Sequence, residues 1–218
     1  MNRNGFIFDL DGVIVDTAKY HFLAWRKLAE NIGVSFTEKE NEQLKGISRL
    51  KSLEKILEWG NKTISEEDFM ELMALKNDDY LTYINKMNKE EILPDVERVL
   101  NYLIQKKQGI ALGSASKNAT TILEKVSLYK KFEAIVDGND VIKGKPNPEV
   151  FLKAAQALNL EPNQCIVFED SVAGIQAANC AGMISIGIGN QSVLNEADFV
   201  FKDFTEMDNK FLSELINK

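Results

Sequence analysis

Two carboxylates one residue apart, Asp9 and Asp11, follow the apolar run Phe6-Ile7-Phe8 and precede Gly12. A short apolar run bounded by Gly5 and Asp9 is the pattern of a strand buried on both faces of a parallel sheet. Gly12 then permits a tight or left-handed turn. Open α/β sheets bind ligands beyond the carboxyl ends of their strands. Two acids at such a place are costly unless a cation or a proton shares them. A solvated Asp-rich turn is the plain alternative.

Three further polar groups stand at comparable places. Ser114 and Ser116 follow the strand-like Gly109 to Gly113, and Glu169-Asp170 follows Cys165 to Phe168. Lys145 lies in the loop Lys143-Gly144-Lys145-Pro146. If the strands are parallel neighbours, these groups converge on one sheet edge. Acids there would hold Mg²⁺, a hard ion that takes oxygen ligands. Serine hydroxyls, backbone N–H groups at a helix start and a lysine would hold a phosphate. Singly, a serine pair before a helix is a cap, a Glu-Asp pair is a turn and a loop lysine is solvated. Together and in this order they point to phosphate chemistry.

The elements that must position these residues can be read from periodicity. Ala18, Phe22, Trp25, Leu28, Ala29 and Ile32 form one helical stripe ending at Gly33, with His21 on or beside it. Thr37 to Glu40 fits a capping box, and Ser65 to Asp68 is a second capping signal. Gly46 to Arg49 reads as a loop, followed by a helix from Leu50 to about Gly60. The long helix after Ser65 carries the stripe Phe69, Leu72, Met73, Tyr80, Tyr83, Ile84 and Met87. Lys76 falls inside that stripe, where a lysine either snorkels to water, the commoner case, or points at something anionic. Residues 17 to 91 carry no strand signal. From Pro94 onward, strands near 109–113, 134–136, 165–168, 183–188 and 199–201 alternate with helices, which implies right-handed βαβ units and a parallel sheet. The expected organisation is an α/β core of residues 1–15 and 94–218 with a helical insert of residues 16–93. The hinges fall near Val13 to Asp16 and Glu91 to Pro94.

Bulk composition bounds the function. The chain has 218 residues, 44% of them apolar, enough to bury a core, and no apolar run long enough for a membrane span. A net charge of −7 argues against nucleic-acid binding and for a soluble cytoplasmic protein. Met1 to Asn4 is too short and polar for an export signal ahead of the strand at Phe6. Cys165 and Cys180 read as core thiols, not a disulfide. One histidine and no Cys-x-x-Cys leave no zinc site.

Asp9-Leu10-Asp11-Gly12-Val13, Ser114, Lys145-Pro146 and Glu169-Asp170-Ser171 resemble the four motifs of the haloacid dehalogenase superfamily of phosphotransferases. The insert between Asp16 and Pro94 resembles its small helical cap, and the resemblance covers the whole chain. Asp16 to Phe22 with Trp25, Asn41 to Arg49, Lys76-Asn77-Asp78 and Ser114 to Asn118 are similar to the β-phosphoglucomutase family within it. That resemblance implies a Rossmann-like core, a Mg²⁺ cofactor and a sugar-phosphate substrate. The activity implied is interconversion of β-D-glucose 1-phosphate and glucose 6-phosphate through the 1,6-bisphosphate. By position, Asp9 is the implied nucleophile and Asp11 the general acid and base. Asp9, the Asp11 carbonyl, Glu169 and Asp170 would surround the metal. Ser114 and Lys145 would hold the transferring phosphoryl group. Arg49 would grip the other phosphate, with Ser116 and Asn118 completing that site. His21 and Lys76 would position the sugar ring or Asp11, and Trp25, Gly46 and Ala115 belong to the same substrate-binding set. Gly113 departs from the alanine expected before Ser114. The alternative is a superfamily phosphatase acting on a small sugar phosphate, and a binding protein that reuses the fold is the remaining option. A monomer is the default for a chain whose cap must swing.

Overall fold

A computed structural model describes residues 3–217. Met1 and Asn2, part of the stretch weighed above as an export signal, and Lys218 lie outside the described residues. Six parallel strands run in the order β3-β2-β1-β4-β5-β6. They are β1 (Gly5–Phe8), β2 (Gly109–Gly113), β3 (Ala134–Val136), β4 (Cys165–Glu169), β5 (Ile184–Ile188) and β6 (Phe199–Phe201). The helices are α1 (Ala18–Asn31), α2 (Glu38–Glu42), α3 (Arg49–Trp59), α4 (Glu66–Ile84), α5 (Val96–Gln105), α6 (Ala119–Lys125), α7 (Glu149–Ala157), α8 (Val172–Cys180) and α9 (Asn209–Ile216).

β1 lies in the middle of the sheet because both of its faces are apolar. Phe6 and Phe8 join the cluster that holds Val99, Leu103, Phe168 and Leu212 on one side. Ile7 joins Ala111, Phe151, Ala154, Val167 and Ala178 on the other, as the period of two in a strand requires. Phe8 pairs with Leu112 of β2 and with Phe168 of β4. The residues that follow these partners are therefore level at one sheet edge. The chain leaves β1 toward β2 and β3, then returns to β4 on its other side. This reversal is the kind of switch point where open α/β sheets form a ligand crevice.

Helices α1 to α4 lie between β1 and β2 and share a separate core of Trp25, Leu28, Phe36, Leu53 and Ile56. The capping box at Thr37 forms, and Ser65 caps α4 by accepting from Asp68 N. Ser48 caps α3, so that helix opens at Arg49 and the loop expected through Arg49 is one residue shorter. The two linkers pair with each other: Leu93 N donates to Ile14 O and Asp16 N to Glu91 O, each at 3.0 Å. One expectation fails. Cys165 is buried, but Cys180, the last residue of α8, is exposed and is no core thiol.

Candidate active site

Asp9, Lys145, Glu169 and Asp170 meet at the β1/β4 edge. The Lys145 ammonium is 2.6 Å from Asp9 Oδ1 and bonds Glu169 Oε1. Glu169 Oε2 accepts from Ser171 N at 2.7 Å and from Ser171 Oγ at 2.9 Å. Ser171 also caps α8 by accepting from Gly174 N. Local sequence makes room for this packing. A Cβ at Gly174 would overlap the Glu169 carboxylate, and one at Gly12, whose φ is +78°, would overlap that of Asp170. Lys145 and Glu169 are almost fully buried, and Asp9 is only 4% exposed.

Such burial is tolerable only for paired charges. Burial pulls the Lys145 ammonium down, but the Asp9 and Glu169 carboxylates more than offset it and keep it charged. Asp9 is pushed well up by burial, with Lys145 opposing. Asp170 is pushed up to about 7 by burial and by the neighbouring Glu169 carboxylate. Oxygens of Asp9, Glu169 and Asp170 lie within 4.8 Å of one another. Two buried carboxylates share one ammonium beside the partly buried Asp170, and the burial and crowding that push Asp9 and Asp170 up are what a hard divalent cation would offset.

Asp11 sits at the mouth of this cluster. The Thr17 hydroxyl donates to Asp11 Oδ1, and His21 Nε2 stands 3.8 Å from the same oxygen. Thr17, with φ −104° and ψ −3°, makes no side-chain capping bond to α1. Burial raises the Asp11 carboxyl, against the Thr17 bond and the Lys76 and Lys145 charges. Lys76 does not snorkel: it is 2% exposed. Its ammonium lies 3.0 Å from His21 Nδ1, 4.7 Å from the Trp25 ring centroid and 4.6 Å from that of Tyr80. While Lys76 carries its proton it is donor only, so in that state Nδ1 accepts and the neutral ring holds its proton on Nε2, 3.8 Å from Asp11 Oδ1. Burial and the Lys76 and Arg49 charges push His21 well down, which keeps it neutral.

The serine loop after β2 is tied internally. Ser116 N donates to Ser114 Oγ at 3.1 Å and Asn118 N to Ser116 Oγ at 3.2 Å. Neither serine caps α6 through its side chain, since that helix begins after Asn118 without such a bond. The Ala115 carbonyl packs under Gly138. Arg49, half-buried, makes no ion pair among the described residues. Gly46, at φ +71°, packs so closely on Ser171 that a Cβ would overlap its hydroxyl. Trp25 belongs to the core of the helical segment and touches the site through Lys76. Gly113 makes way for Phe151, whose Cδ1 would lie 2.8 Å from an added Cβ, so its departure from alanine has a packing cause. The sequence assigns no individual role to Thr17, Lys45, Tyr80 or Ser171: Thr17, Lys45 and Ser171 enter only within segments that carry the resemblance, and Tyr80 as part of the α4 stripe.

The model of the haloacid dehalogenase-like hydrolases matches residues 4–182. The chain belongs to this haloacid dehalogenase-like family. Among its relatives, β-phosphoglucomutase of Bacillus subtilis is 43% identical over 95% of this chain and 93% of that one. The phosphorylated carbohydrates phosphatase of Thermotoga maritima is 32% identical over 81% of each. The crystal structure of β-phosphoglucomutase from Clostridium difficile superposes with a TM-score of 0.95 at 43% identity, over 99% of this chain and 98% of that one. The haloacid dehalogenase fold thus accounts for the whole described chain, including the helical segment. No helix among the described residues is long and apolar enough to cross a membrane.

Proposed function

We propose that the protein is a β-phosphoglucomutase, converting β-D-glucose 1-phosphate and glucose 6-phosphate into each other through β-glucose 1,6-bisphosphate. The observation that carries this is similarity to the B. subtilis enzyme over 95% of the chain, a span that must include the helical segment bearing His21, Arg49 and Lys76. In this scheme residues 16–93 are the cap and residues 1–15 and 94–218 the core.

Asp9 is the nucleophile. Its phosphorylated form gives the phosphoryl group to the C6 hydroxyl of β-glucose 1-phosphate, while Asp11 takes the proton of that hydroxyl. The bisphosphate turns over, Asp9 attacks the C1 phosphate, and Asp11 returns the proton to the departing C1 oxygen. Glucose 6-phosphate leaves and Asp9 is phosphorylated again. A carboxyl raised by burial suits a group that must both hold and release a proton. The neutral His21, with Nε2–H toward Asp11, and the Thr17 hydroxyl orient it. Lys145 stays charged and, with Ser114, neutralises the transferring group. Arg49, Ser116 and Asn118 take the phosphate that is not being transferred. Asp9, Asp170 and the Asp11 carbonyl, with Glu169 beside them, would hold Mg²⁺. When bound, the ion supplies positive charge against the phosphoryl oxygens. Docking of Gly46 on Ser171 and burial of Asp9 keep water from the aspartyl phosphate.

The protein is proposed to work as a cytoplasmic monomer on a small sugar phosphate, without nucleic acid or membrane. The alternative, a sugar-phosphate phosphatase, is favoured by the 32% identity to the T. maritima enzyme. Incubation with Mg²⁺ and β-glucose 1-phosphate, primed with the bisphosphate, separates the two. Glucose 6-phosphate as the main product is expected. Free phosphate in its place would give the alternative the advantage, and no turnover of either anomer would remove both.

A further inference from the structure

The helical segment meets the strand-end loops at both ends of the cleft. At one end the Lys45 ammonium stands 3.6 Å from Asp170, beside the acids. At the other, Asn118 Nδ2 donates to Asn77 Oδ1 of α4 at 3.0 Å, across 41 positions of chain. Asn77 follows Lys76 directly and is half-buried.

The Asn77 contact ends a continuous line of hydrogen bonds. Ser114 Oγ accepts from Ser116 N, Ser116 Oγ accepts from Asn118 N, and the Asn118 amide reaches Asn77. The line runs from the phosphoryl pocket, along the loop assigned to the second phosphate, to the helical segment. An asparagine amide offers an acceptor and a two-hydrogen donor of nearly equal shape. An anion needs the donor end, and a carbonyl turned toward it repels. The Asn77 oxygen engages one Nδ2 hydrogen of Asn118, which fixes which end of the amide is the donor and leaves the second hydrogen for a ligand.

We propose that Asn77 is a positioning residue for the phosphate that is not being transferred, acting through Asn118 and only while the helical segment is docked. This deepens the mutase reading and rests on its assignment of Asn118. It links occupancy of the second phosphate site to closure, so that a substrate with a phosphate at each end stabilises the closed form and water alone does not.

Asn77→Ala tests this without endangering the fold, because alanine is the better helix former at a half-exposed position of α4. Loss of one neutral hydrogen bond predicts a KM for β-glucose 1-phosphate raised roughly three- to tenfold, with a smaller change in kcat. The fraction of turnovers that release free phosphate should rise. Phosphorylation of Asp9 by acetyl phosphate, which has no second phosphate, should keep its wild-type rate. In an Asn118→Ala background, Asn77→Ala should add nothing further. An unchanged KM, full additivity of the two substitutions, or an equally slowed acetyl phosphate reaction would each overturn the assignment. The product made by the wild-type protein is scored separately: free phosphate alone would count against the mutase reading, while the Asn77–Asn118 cycle still reports on the amide.

Discussion

Lys76→Met separates what the buried lysine does for the site from what it costs the fold. Lys76 is 2% exposed, and its ammonium is surrounded by the His21, Trp25 and Tyr80 rings with no carboxylate in contact. Burial and the Arg49 charge pull it down from 10.5 to about 7, against the weaker pull of Asp11. At about 1.4 kcal/mol per pH unit, keeping this ammonium charged costs the fold at most about 4–5 kcal/mol below neutrality. The unfolded chain holds the proton up to 10.5 and the folded chain only to about 7. The unfolded state therefore binds more protons in that window, and stability must rise with pH across it. Methionine has similar length and no charge. Denaturant melts of wild type and Lys76→Met at pH 6, 7.5 and 9 should show the variant more stable by several kcal/mol at pH 6, an advantage that shrinks toward pH 9. Its mutase kcat/KM should fall, because His21 loses the donor that fixes its tautomer. A variant less stable than wild type at pH 6, or a difference that does not change with pH, would refute the reasoning.

Three other perturbations have defined outcomes. Gly46→Ala places a methyl on the Ser171 hydroxyl at a positive φ, so it should lower turnover and raise phosphate leakage while metal affinity, measured by calorimetry, stays the same. Asp170 loses its proton near pH 7 in the metal-free protein, so Mg²⁺ affinity should climb as pH rises from 5.5 through 7; a constant affinity across that range would contradict the assignment of Asp170 as a ligand. Gly113→Ala meets Phe151 at 2.8 Å and should cost about 1–3 kcal/mol as overpacking does, read as a lower Tm.

Much of the fold was legible because its signals were local. Phe6-Ile7-Phe8 shows no alternation, which is what a strand covered on both faces requires, and the Thr37 and Ser65 caps formed where their side chains allow. The sheet edge followed from polar residues closing each apolar run. Side-chain direction was less legible. Lys76 read first as a snorkelling lysine because periodicity gives the face of a helix and not what packs on it. Cys180 read as core although it ends α8 on the solvent side. Thr17 read as a helix start, and only three-dimensional proximity reveals that its hydroxyl goes to Asp11. Asn77 was passed over for a similar reason, since its partner lies 41 residues away.

The central claim is that Asp9 takes the phosphoryl group and Asp11 moves the proton. Intact-protein mass spectrometry after brief exposure to β-glucose 1,6-bisphosphate and Mg²⁺, with peptide mapping, tests it most directly. One added phosphate on the peptide bearing Asp9 is expected in the wild type, none in Asp9→Asn, and little or none on this timescale in Asp11→Ala, which lacks the acid for the departing sugar oxygen. Phosphate retained by Asp9→Asn, or wild-type turnover by Asp11→Ala, would contradict the account.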